Sequence, residues 1–118
     1  ITGQNMDHVA KMSYNGSIEY FAMPEGSGPH GILFDKKGRL WVSLEFHGLV
    51  VRLDKKGKIV QKIDCHITGP GIKTPINTSP HGIGLDADGV VGSTDVVSCS
   101  IVSFDRESIL VGVVMRLD

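Results

Sequence analysis

The 118-residue chain is poor in aromatics (6%), has only two cysteines, and carries no excess of either charge. Twelve Lys and Arg stand against thirteen Asp and Glu for a formal net charge of -1, with no basic stripe in the mixture. The electrostatic footprint of nucleic-acid binding is therefore missing, and no DNA or RNA partner is expected. No apolar run approaches the ~18 residues of a membrane span, and Ile1-Thr2-Gly3-Gln4 lacks both regions of a signal peptide. The expectation is a soluble chain with no membrane partner. Cys65 and Cys99 form no CxxC pair, so neither a disulfide framework nor a thiolate zinc site is indicated, and both read as small reduced core residues. An exported protein would have lost its leader, so the compartment stays open, with the cytoplasm slightly favoured. The first residue is not Met, from which a start inside a longer chain or after processing is expected.

Helical periodicity is missing too. Fifteen Gly and five Pro punctuate short apolar runs, and no stretch of ten residues sustains the i, i+3, i+4, i+7 spacing. The chain reads as all-β. Asn15-Gly16, Asp35-Lys36-Lys37-Gly38, Asp54-Lys55-Lys56-Gly57 and Asp86-Ala87-Asp88-Gly89 each pair a side chain that can bond its own turn with a Gly that tolerates positive φ. Four hairpins follow. Asp86 and Asp88 lack the further ligands of a calcium loop, and the paired lysines read as solvated hairpin tips.

Repetition is the most informative feature. Pro29-His30-Gly31-Ile32 returns as Pro80-His81-Gly82-Ile83, 51 residues later, and the same offset superposes Asp35 on Asp86 and Gly38 on Gly89. An offset of 41 places Asn15-Gly16-Ser17-Ile18 over Lys56-Gly57-Lys58-Ile59, the difference falling in the loop between His66 and Ser79. A period of ~40 to 45 with four strands per unit marks β-propeller blades. Strands are expected near Val9 to Met12, Ser17 to Ala22, Gly31 to Asp35, Arg39 to Leu44, Leu49 to Asp54 and Lys58 to Asp64. Four more fall at Gly82 to Asp86, Val90 to Thr94, Ser100 to Asp105 and Ile109 to Arg116. The domain reading is a half blade over 1–28, a blade over 29–79 and a divergent blade over 80–118, about two and a half blades of a six- or seven-bladed ring.

In a blade the innermost strand lines the central channel, so His30 and His81 stand at its mouth, where ligand pockets form. Pro29 and Pro80 fix the approach and Gly31 and Gly82 admit close backbone contact. Both histidines are candidates for a direct role, or for a repeated structural bond to a neighbouring loop. Trp41, the only Trp, is expected to pack between blades. His8, His47 and His66 lack the spacing of a metal site and read as surface residues.

Gly28-Pro29-His30-Gly31-Ile32, then Asp35-x-x-Gly38-Arg39-Leu40-Trp41-Val42-Ser43, then Val51-Arg52-Leu53-Asp54-x-x-Gly57-Lys58-Ile59 resemble the blade repeat of the streptogramin B lyases, a likeness running from Val9 to Gly89. The resemblance implies a seven-bladed ring that binds a cyclic depsipeptide and Mg²⁺ and linearises the depsipeptide by elimination at its ester. By motif, His30 and His81 receive the role of catalytic base on the α proton, for which imidazole suits neutral pH. Mg²⁺ held by carboxylates would act as Lewis acid. The chain departs from the pattern where an acid should precede the Pro-His pair, for Gly28 and Ser79 stand there. Glu45 comes one residue later than the family's Glu. With period 2 that slip turns it outward as a solvated carboxylate, unless a bulge restores the register and makes it a metal ligand. The alternative function is a non-catalytic binding or scaffold segment. Part of a ring cannot preorganise a whole-ring pocket, so the isolated chain is expected to be inactive and to self-associate through its open blade edges.

Overall fold

Three of the four expected hairpin turns show the side-chain chemistry that their residues offer. Asn15 Oδ1 accepts the Ser17 N–H at 3.0 Å, while Asp35 Oδ1 takes those of Lys37 and Arg39, and Asp54 Oδ1 those of Lys56 and Lys58, all at 2.9 Å. Gly16, Gly38, Gly57 and Gly89 supply the left-handed φ, between 75° and 87°, that closes these turns. The computed structural model describes residues 1–66, 70–74, 78–85, 87–95, 100–104 and 110–115. Asp86, Asp105 and Cys99 lie outside the described residues, as do the expected ends of the last strand, Ile109 and Arg116.

Among the described residues, eleven strands run between the turns in three antiparallel meanders. The first holds β1 (Thr2–Gly3), β2 (His8–Met12) and β3 (Ile18–Ala22). The second holds β4 (Pro29–Phe34), β5 (Leu40–Leu44), β6 (Leu49–Leu53) and β7 (Ile59–Asp64). The third holds β8 (Pro80–Leu85), β9 (Val91–Asp95), β10 (Ser100–Phe104) and β11 (Leu110–Met115). The ten expected strands are present to within about two residues. The two-residue β1 is new, and so are two 3₁₀ turns, Gln4–Met6 after β1 and Glu45–His47 after β5. No described helix is long and apolar enough to cross a membrane.

The sheets stack face to face as propeller blades, and alternation along each strand sends successive side chains to the two neighbouring interfaces. Val42, Leu44, Val51 and Leu53 project from one face of the second sheet and pack with Val9 and Met23 of the first blade. Trp41, Val50 and Ile63 project from the other and pack with Cys65, Val91, Ile83 and Leu85. Trp41 thus joins the second blade to the third, as expected. Its indole N–H also donates to Asp35 Oδ2 at 2.9 Å, which fastens the hairpin turn to the core. On the far face of the third sheet, Gly84 and Gly92 pair where the second sheet pairs Leu33 with Trp41.

Candidate functional site

The inner strands β4 and β8 both begin irregularly. Pro29 pairs with Leu44 but Ile32 with Val42, and Pro80 pairs with Asp95 but Ile83 with Ser93. His30-Gly31 and His81-Gly82 are therefore two-residue bulges, each opposing a single residue of the next strand. A bulge re-aims a side chain that regular pleating would place elsewhere. Here the rings of His30 and His81 meet, with centroids 3.5 Å apart and planes tilted by 33°. Two histidines separated by 51 residues are brought into van der Waals contact.

Their backbones are held by hydroxyls of the preceding blade. Thr2 Oγ1 donates to the His30 carbonyl at 2.7 Å, and Ser43 Oγ donates to the His81 carbonyl at 2.8 Å while accepting the Gly31 N–H at 2.8 Å. Gly31 is required for this approach, because a Cβ there would sit 2.5 Å from the His81 carbonyl oxygen. The bonds from the preceding blade reach the main chain of each histidine, and the two rings pack on each other.

Glu45 completes the cluster. Regular alternation would have turned it outward, but β5 ends at Leu44 and Glu45 opens a 3₁₀ turn, where period 2 no longer applies. Its N–H bonds the Gly28 carbonyl at 3.1 Å and that of Phe46 bonds the Ser27 carbonyl at 3.0 Å, which pins the turn to the loop leading into His30. Glu45 is accordingly half-buried rather than a solvated loop carboxylate. The ligand atoms of His30, Glu45 and His81 lie within 4.8 Å of one another. Gln4 Nε2 donates to Glu45 Oε2, a partner that motif spacing did not single out. The signal was present: the offset of 41 that aligns the first two blades sets Gln4 on Glu45 and Thr2 on Ser43.

Asp7 is a second residue missed from sequence. It ends the first 3₁₀ turn in the left-handed region (φ 47°), and its carboxylate accepts the N–H groups of Gly26 at 2.7 Å and Gly28 at 3.1 Å. These backbone donors hold its carboxyl below the usual range. The loop that delivers Pro29-His30 is thereby anchored to the first blade. The remaining histidines stay outside the cluster. His47 is exposed, His66 bonds Asp64 through Nδ1, and His8 packs edge-on against Tyr20 at 5.1 Å. Lys36 is more than a solvated tip, for its Nζ donates to the Ala87 carbonyl of the next hairpin at 2.9 Å.

Mg²⁺ demands a near-octahedral shell of oxygen ligands. The cluster offers two imidazoles and a single carboxylate, and the place before each Pro-His pair holds Gly28 and Ser79. The donor set does not fit Mg²⁺.

No family model matches the sequence, and no curated protein does. Solved structures do. Virginiamycin B lyase from Staphylococcus aureus superposes with a TM-score of 0.78 at 17% identity, over 98% of this chain and 36% of the lyase. A catalytically inactive variant of that lyase with quinupristin gives 0.73 at 18% identity, over 91% and 34%. A protein of unknown function from Bacteroides caccae gives 0.66 at 15% identity, over 95% and 40%. The chain thus spans about a third of the lyase structures it resembles, and the likeness establishes the propeller fold.

Proposed function

We propose that this chain contributes the histidine pair of an elimination site acting on a cyclic depsipeptide ester. The observation that carries the reading is the stacked pair His30–His81 with Glu45 beside it at the inner-strand ends. One imidazole takes the proton from the carbon next to the one bearing the ester oxygen. The electron pair becomes a carbon–carbon double bond, the C–O bond breaks, and the ester oxygen leaves in a carboxylate. No water is consumed. The second imidazole, as an N–H donor, polarises the carbonyl that acidifies the proton, and Glu45 orients the pair. Proton transfer by a positioned imidazole contributes about 10²–10⁴-fold. The streptogramin B lyase resemblance and the fold shared with virginiamycin B lyase support this substrate class.

The test supplies the missing flanks: the chain is fused to the blades that complete the ring in the lyase and incubated with a streptogramin B depsipeptide. Elimination leaves the mass unchanged and creates a conjugated double bond, whereas hydrolysis adds a water. Ring opening without mass change is expected, slowed at least about 100-fold by His30→Ala or His81→Ala. A chimera that forms a closed ring by small-angle scattering yet opens no depsipeptide would overturn the lyase reading. The second reading, a binding or scaffold segment, is favoured by Gly28 and Ser79 at the positions where the family carries an acid.

A further inference from the structure

We propose that His30, His81 and Glu45 form a binding site for a borderline transition-metal dication of the Zn²⁺ class, and not for Mg²⁺. This rests on the donor geometry and not on the elimination reading. Imidazole nitrogens suit Zn²⁺, Co²⁺, Ni²⁺ and Fe²⁺, while Mg²⁺ selects carboxylates, carbonyls and water. Three protein ligands with an open fourth position is the arrangement of catalytic and exchangeable zinc sites, as opposed to closed structural ones.

The geometry is nearly made. Ligand atoms about 2.0–2.1 Å from a tetrahedral Zn²⁺ stand about 3.3 Å apart. Those of His30, His81 and Glu45 are already within 4.8 Å, and each residue is half-buried rather than splayed into solvent. Closing the difference requires the stacked rings of His30 and His81 to rotate out of contact so that their nitrogens converge on one point. The backbones that carry them are fixed, His30 by Thr2, His81 by Ser43, and Glu45 by Gly28. Gln4 Nε2 binds one carboxylate oxygen and leaves the other to an ion, as outer-shell partners do in metal centres. The ligands come from β4, from the 3₁₀ turn after β5, and from β8, so the ion would bridge the second and third blades.

The ion and the elimination chemistry draw on the same imidazole lone pairs. A bound Zn²⁺ would therefore inhibit the reaction proposed above, and the two proposals fail separately.

The test is titration of the 118-residue chain with Co²⁺, followed by its visible absorption, then displacement by Zn²⁺ and challenge with a hundredfold excess of Mg²⁺. One equivalent of Co²⁺ is expected to bind, to be displaced by Zn²⁺ and to survive the Mg²⁺. His30→Ala, His81→Ala and Glu45→Gln should each weaken binding at least tenfold, and Gln4→Leu about 10–100-fold through the outer shell. His66→Ala, which removes the imidazole beside Asp64, should leave it unchanged. Circular dichroism of each variant separates lost ligation from lost folding, and a Zn²⁺-dependent rise in melting temperature of the parent chain gives a reading independent of any variant. Mg²⁺ competing at comparable concentration would overturn the proposal. So would Co²⁺ binding unchanged in the folded His30→Ala and His81→Ala variants.

Discussion

Asp35 shows how much one side chain can be asked to do. Burial opposes its ionisation, but donors from Trp41 Nε1, the Arg39 backbone and guanidinium, and the Lys37 backbone outweigh that and lower its pKa from 3.8 to about 2. A carboxyl whose folded pKa lies below its unfolded value stabilises fully above the unfolded pKa and loses that contribution as pH falls through the folded one. Stability should therefore decline between pH 3.8 and about 2. Urea melts across this range on the parent and on Asp35→Asn should show a smaller decline in the variant. Trp41→Phe keeps most of the ring but removes one donor to the buried anion, and is expected to cost about 1.5–3 kcal/mol at neutral pH. An unchanged urea midpoint would mean that the indole N–H is energetically idle.

Among the elements, the hairpins were legible because their chemistry is local: an Asp or Asn and a Gly three or fewer residues apart determine the turn wherever it lies. The inner strands were legible only in position. Their bulges depend on the fit of His-Gly against Ser43 and against Thr94's backbone in the neighbouring strand, which no single motif encodes. The candidate site was half legible for the same reason. His30 and His81 announce themselves by repeating, whereas Gln4 and Thr2 matter only because one blade is laid against the next. For Glu45 the sequence leaves open a solvated carboxylate or a metal ligand, because strand alternation does not extend past the end of β5 into the 3₁₀ turn. Tight turns of the same type need not tolerate change equally. Gly38 and Gly57 share a φ near 75–78°, but a Cβ on Gly38 meets nothing within 4 Å, while one on Gly57 falls 2.2 Å from the Phe21 ring of the preceding blade. Gly38→Ala should cost about 1–2 kcal/mol from the left-handed backbone alone. Gly57→Ala should cost more by thermal denaturation, because Phe21 must move as well. Equal losses would show that this seam between blades is soft.

At the scale of the molecule, the extents of 52 × 31 × 29 Å and a radius of gyration of 14.5 Å, against about 13.5 Å for a compact chain of this length, describe an elongated stack of sheets. A stack has end faces. On the first sheet Val9 and Phe21 turn towards the second blade, so Met12, Ile18 and Tyr20 share the opposite face, where they are 56%, 46% and 64% exposed. Apolar residues grouped in this way favour association. Light scattering is expected to show concentration-dependent oligomers of the chain, dispersed to monomers by Ile18→Lys with Tyr20→Lys. Oligomers that persist in the double variant would assign the contact to another face.

The hydroxyl bonds from Thr2 to the His30 carbonyl and from Ser43 to the His81 carbonyl bear on how such a protein can be rebuilt. The unit that is copied along the chain starts at an inner strand and ends at an outer one. The unit that steadies a histidine starts in the second strand of one copy and ends in the first strand of the next. A recombination cut made between copies would carry a histidine into its new host and leave its tether behind. Cuts made within the second strand, just before Thr2 or Ser43, would move histidine and tether together, so exchangeable segments should be drawn out of phase with the blades.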